Sequence, residues 1–175
     1  MYLVISCSLR PASRSRILAR RAHECLTTAG HEAELIDLID HPLPLCDGDT
    51  SYDAEHVAKL DALIRNAQGV LIGTPVYNYD ASAATKNLIE LTGQAWTNKV
   101  VGFLCAAGGS GSYMSIMGLA NSLMLDFRCL IIPRFVYSTG EAFEDGKVSD
   151  PEVEDRINEL AKELKRICAA LNKRS

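Results

Sequence analysis

A chain of 175 residues is the size of one domain, and at that length folding buries about 70% of the surface of the unfolded chain, so no covalent staples are needed. Eighteen Lys and Arg against 22 Asp and Glu give a net charge of −4 with no basic stripe, which excludes the electrostatic footprint of a nucleic-acid binder. No apolar run approaches the roughly 18 residues of a membrane span and the amino terminus enters a strand directly, so a soluble, cytoplasmic, single-domain protein over residues 1–175 is expected.

In chain order, the apolar run Tyr2-Leu3-Val4-Ile5 predicts a strand over 2–6. It breaks into Ser6-Cys7-Ser8-Leu9-Arg10-Pro11-Ala12-Ser13-Arg14-Ser15-Arg16 and becomes helical over 14–29, closed by Gly30. Serine hydroxyls, backbone N–H groups, arginines and a helix N-terminus meeting at a strand end suit a small phosphorylated ligand. The loop has neither glycine nor lysine, so it is neither a Walker loop nor a Gly-x-Gly-x-x-Gly dinucleotide fingerprint, and a mononucleotide remains. Arginine in a first helical turn is opposed by the helix dipole unless an anion is bound, which favours Arg14 and Arg16 as parts of a site and leaves Arg20 and Arg21 to the surface.

The next strand, 33–38, carries polar residues at alternate positions and suits a sheet edge. A helix over 53–67 leads to a near-continuous apolar strand over 69–74, then to the loop Pro75-Val76-Tyr77-Asn78-Tyr79-Asp80 and a helix over 81–94. Strand 99–106 opens into Ala106-Ala107-Gly108-Gly109-Ser110-Gly111-Ser112-Tyr113, followed by a helix over 112–127 and a strand over 129–136. Asp150 before Pro151 caps a last helix over 151–171, whose Leu160, Leu164, Ile167 and Leu171 are expected to face the sheet. Strands and helices alternating five times predict a doubly wound parallel sheet with helices on both faces. Ligands in such sheets sit beyond the carboxyl ends of the strands, where these three loops gather.

The six cysteines lack Cys-x-x-Cys spacing and the four histidines lack ligand spacing, so no metal site is expected. The aromatic loop offers flat surfaces, and the glycine loop lets bare backbone approach a ligand edge. A phosphate at one end and a planar heterocycle at the other describe FMN.

Over nearly its whole length the chain resembles the NADPH-dependent FMN reductases, which have a flavodoxin-like fold. Their Gly-Ser-Leu-Arg-x-x-Ser loop matches Cys7 to Ser13; their Pro-Glu-Tyr-Asn segment followed by Lys-Asn matches Pro75 to Asn78 with Lys86-Asn87. Their glycine loop, Leu-Asp helix end and strand proline match Gly108 to Gly111, Leu125-Asp126 and Pro133. Cys7, Val76, Ser82-Ala83 and Tyr113 depart from the family pattern. The resemblance implies five strands in the order 2-1-3-4-5. It implies FMN held at its phosphate by Ser8, Arg10, Ser13, Ser15 and Arg16, along its ring by Pro75, Val76, Tyr77 and Asn78, and at its pyrimidine edge by Gly108, Gly109, Ser110 and Gly111.

The implied chemistry is hydride transfer from NADPH or NADH through FMN to flavin, quinone or another small electron acceptor, with no essential side-chain acid or base. Family members pair into homodimers, possibly tetramers, which here would bring Ala81, Ala83 and Ala84 beside Met114, Met117 and Met124. Two rival readings exist. A flavodoxin-like electron carrier without NAD(P)H oxidation would surround its flavin with acidic residues. A low-molecular-weight tyrosine phosphatase needs Cys-x5-Arg-Ser, and here six residues separate Cys7 from Arg14-Ser15, one too many to hold a phosphoryl group over the thiolate.

Overall fold

The structure, a computed structural model, describes residues 1–172. Its strands are β1 (Tyr2–Ser6), β2 (Ala33–Asp37), β3 (Gly69–Tyr77), β4 (Asp80–Ala81), β5 (Val100–Ala106), β6 (Leu130–Ile131) and β7 (Val136–Ser138), with a separate hairpin of β8 (Phe143–Glu144) and β9 (Lys147–Val148). The helices are α1 (Arg14–Thr28), α2 (Glu55–Asn66), α3 (Ala83–Thr92), α4 (Met117–Phe127) and α5 (Pro151–Asn172). The parallel sheet runs β2-β1-β3-β5, and β6 and β7 both pair with the far side of β5.

Alternation along the central strands sends side chains into two separate cores, which is why helices must cover both faces. Leu3, Ile5, Ile72 and Phe103 pack beneath Leu60 of α2, Leu88 of α3 and Leu123 of α4. Tyr2, Val4, Leu71 and Leu104 face Leu18 and Leu26 of α1 and Ile157 and Leu164 of α5. Burying each such Leu or Ile contributes about 2 kcal/mol. The expected order 2-1-3-4-5 is therefore present, with β2 at the edge and β1, β3 and β5 inside.

The segment expected as one strand over 129–136 is two. Ile131 faces Val101 and Val136 faces Leu104, so the outer segment spends two more residues on this step than β5 does. Pro133 has no N–H to donate and Arg134 is left-handed at φ 59°, so pairing stops and resumes only at Val136. The strand expected to end at 74 runs on to Tyr77 and folds back as a hairpin with β4. The helix expected from 112 begins at Met117. Before it, Ser110–Ile116 forms 3-10 turns, with Ser112 off helical geometry (φ −99°, ψ 24°), as a stretch containing Gly108, Gly109 and Gly111 favours. In α5 the Asp150 carboxylate accepts from the N–H groups of Glu152 (2.8 Å) and Val153 (3.4 Å), the expected cap. Leu160 and Leu164 are buried as expected, whereas Leu171 is exposed, because the buried stripe runs instead through Val153, Ile157 and Cys168.

Candidate functional site

A cleft of about 740 Å³ opens at the carboxyl ends of β1, β3 and β5. Its first wall is the serine-and-arginine loop. The Cys7 N–H still donates to the Gly73 carbonyl (2.8 Å), so the chain leaves the sheet only after Cys7. Ser8 is buried and its hydroxyl accepts from the Arg10 N–H (3.3 Å). Arg16 turns inward. Its guanidinium donates to the carbonyls of Ser8 (2.9 Å), Arg10 (2.6 Å) and Pro11, and pairs with the Asp37 carboxylate at the end of β2. One buried cation thus fixes three carbonyls of the loop.

The start of α1 can lie this close to the sheet because residue 73 of β3 is glycine. A Cβ there would come within 3.0 Å of the Ser15 carbonyl and of the Ala19 side chain. Ser13, the N-cap of α1, makes no side-chain cap; its hydroxyl bonds the buried Ser15 hydroxyl at 2.9 Å. No acidic residue occupies the first turn of α1. The N–H groups of the first turn, both hydroxyls and the guanidinium groups of Arg10 and Arg14 are thereby available to an anion. Neither Arg10 nor Arg14 has an acidic partner among the described residues.

The second wall is the end of β3. Asn78 and Tyr79 are both left-handed (φ 51° and 64°), the conformation of a two-residue hairpin turn, and they bring Tyr77 and Tyr79 to the rim with their rings exposed. Beneath the turn a buried hydroxyl cluster ties strand to helix. Thr85 Oγ1 lies 2.6 Å from Thr74 Oγ1 and 2.9 Å from the hydroxyl of Ser82, the N-cap of α3. Ser82 is thus a working cap. Asn87, one turn on, accepts from the Cys46 N–H and donates to the Pro44 carbonyl, both at 2.8 Å, pinning the loop before α2 onto α3.

The third wall is the glycine loop. A Cβ on Gly108 would meet no protein atom, so the missing side chain leaves room for something outside the chain. The Tyr137 hydroxyl donates to the Gly109 carbonyl and lies 2.8 Å from the Ser112 hydroxyl, and Tyr113 stacks on Phe135 with centroids 4.9 Å apart. These aromatic contacts anchor the loop to the β7 side of the sheet.

Of the residues expected at the site, Arg10, Ser13, Ser15, Pro75, Val76, Tyr77, Asn78 and Gly108 line the cleft together. Ser8 and Arg16 lie behind the loop, and Gly109, Ser110 and Gly111 lie beyond the cleft lining. Ala12, Arg14, Tyr79, Ala106, Ala107 and Ser112 line it as well. Ser112 lies in the 3-10 turns that stand where a regular helix was expected. Cys7 is fully buried and burial pushes its thiol up to about 12, so it is no nucleophile at neutral pH, which removes the phosphatase reading on chemistry as well as spacing.

A sequence model for NADPH-dependent FMN reductases matches residues 2–144. An NAD(P)H-dependent FAD/FMN reductase of Geobacillus thermodenitrificans is 34% identical over 137 residues, covering 76% of this chain and 74% of that protein. An NADPH azoreductase of a Bacillus species is 30% identical over 165 residues, covering 93% and 89%. RosB, solved with an 8-demethyl-8-formylriboflavin-5′-phosphate intermediate bound, superimposes with a TM-score of 0.79 at 19% identity, covering 98% of this chain and 80% of that one, a likeness of fold. With the match running from β1 through β8 and taking in all three walls of the cleft, the chain belongs to the NADPH-dependent FMN reductase family.

Proposed function

We propose that the cleft holds FMN, with its phosphate at the N-terminus of α1 and its ring between the β3–β4 turn and the glycine loop, and that the protein uses NAD(P)H to reduce flavins, quinones or similar small acceptors. The observation that carries this reading is the asymmetry of the cleft. One end gathers two guanidinium groups without acidic partners, two hydroxyls and a helix N-terminus; the other has exposed aromatic faces and, at Gly108, space that a side chain would fill. That donor set fits a phosphomonoester at one end and a flat heterocycle at the other.

FMN, when bound, supplies the hydride-accepting ring. Arg10, Ser13 and Ser15 neutralise and orient the phosphate, while Tyr77 and Asn78 border the ring. Backbone N–H groups near Gly108 would border the edge where negative charge gathers on reduction, and a donor held there would stabilise that charge without reorganising. No acidic side chain lines the cleft among the described residues, and the chain's work in this reading is binding and orientation rather than proton transfer.

The reading carries an assembly with it. Met114, Met117, Met124 and Leu125 are exposed along one face of α4 and the turns before it, an apolar stripe suited to a second copy of the chain in a homodimer. Six free cysteines suit the reducing cytoplasm. Titrating the purified protein with FMN, then following NADPH and NADH oxidation with a quinone as acceptor, tests the proposal. Flavin fluorescence should quench with one FMN per chain and both pyridine absorbance and quinone should fall together. Holoprotein that oxidises neither nucleotide overturns the reductase reading, and sedimentation as a monomer at micromolar concentration overturns the homodimer.

A further inference from the structure

The segment after β7 passes over the first turn of α1, and there Gly140 lies against Arg14. A Cβ on Gly140 would sit 2.7 Å from Arg14 Nη1 and 2.8 Å from Cζ and Nη2. Among the described residues no other glycine would set its Cβ against a charged group. The Gly140 backbone is not left-handed, so the chain's conformation does not demand glycine here. The space does.

Arg14 stands at the first position of α1, lines the cleft, and makes no ion pair among the described residues. A guanidinium beside the positive end of a helix dipole is repelled unless an anion lies between them. Gly140 leaves room for the guanidinium of a residue that lines the cleft, where any side chain at 140 would push it aside. We infer that Gly140 is a positioning residue, which holds Arg14 as a second guanidinium beside Arg10 for the cofactor phosphate. The inference rests on the FMN reading above. It assigns a role to a residue remote in sequence from the three loops that form the cleft.

The test is a double-mutant cycle read with two flavins, FMN and riboflavin, the second lacking the phosphate. Because the atoms that a methyl at 140 meets are the far end of a flexible side chain, Gly140→Ala should melt at the wild-type temperature. It should bind FMN roughly tenfold more weakly, as loss of a charge-assisted contact implies, with riboflavin affinity unchanged. Arg14→Ala should lose at least as much for FMN, and adding Gly140→Ala to it should cost nothing further. Unchanged FMN affinity in Gly140→Ala overturns the inference. So does an equal loss for both flavins, or a loss that persists when Arg14 is already alanine. Wild-type protein that binds neither flavin removes the FMN reading itself, and this one with it.

Discussion

The two glycine-poor and glycine-rich ends of the cleft are built on opposite plans. The loop after β1 contains no glycine, and its shape is imposed from behind: Arg16, buried and paired with Asp37, holds three carbonyls in place so that the outward N–H groups, Ser13 and Ser15 stay aimed at the cleft. The loop after β5 is exposed over Gly108 to Gly111 and is held at Gly109 and Ser112 by one tyrosine hydroxyl. An end that grips a fixed, doubly charged group gains from rigidity, whereas an end that must admit different small molecules to a ring gains from latitude.

The sharpest way to break this contrast is to remove the brace. Asp37→Ala leaves the Arg16 cation buried without its carboxylate, and should cost about 3 kcal/mol and lower the melting temperature by roughly 10 °C. FMN affinity should fall in the same variant although Asp37 does not line the cleft. A variant that melts normally would mean the loop is held by something else. Next in size, Arg10→Ala should weaken FMN binding roughly 30-fold with riboflavin unaffected, read by fluorescence quenching. At the other end, Gly108→Val should weaken both flavins alike, by roughly tenfold, with stability little changed because a Cβ there lies in open space.

Two smaller effects sharpen the picture. Cys7 and Cys105, which face the same core below the two loops, have thiols pushed up to about 12 by burial. A thiol whose native pKa is raised favours folding while it is protonated in both states, so this contribution is complete below about pH 9 and is lost as pH climbs toward 12. Stability of the wild type should therefore fall between pH 9 and 11 by about 2 kcal/mol more than that of Cys7→Ala, measured by urea denaturation. Tyr137→Phe removes the anchor of the glycine loop and should cost about 1 kcal/mol or less in stability, while changing KM for the acceptor more than FMN affinity.

Much of this was legible in the sequence because it rests on local signals. Continuous apolar runs mark β1, β3 and β5, the polar alternation of β2 marks an edge, and Asp150-Pro151 marks a helix start. The misplacements all need the fold. Arg16 reads as an anion ligand from its neighbours, and only the pairing of β1 with β2 brings Asp37 beside it to claim its charge. Arg14, two residues earlier, has no acidic partner among the described residues and lines the cleft. Gly140 carries no signal at all in sequence, since its reason is a side chain 126 positions away. The break at Pro133 was visible as a proline within an apolar run, but its position at the outer edge, where an interruption is tolerated, comes from the sheet.

That interruption has a consequence beyond the site. The outermost segment on the β7 side offers only short rungs, two residues and then three, separated by a proline and a left-handed arginine. A passing chain could not zip along it, so this flank of the sheet is poor seed material for fibrils.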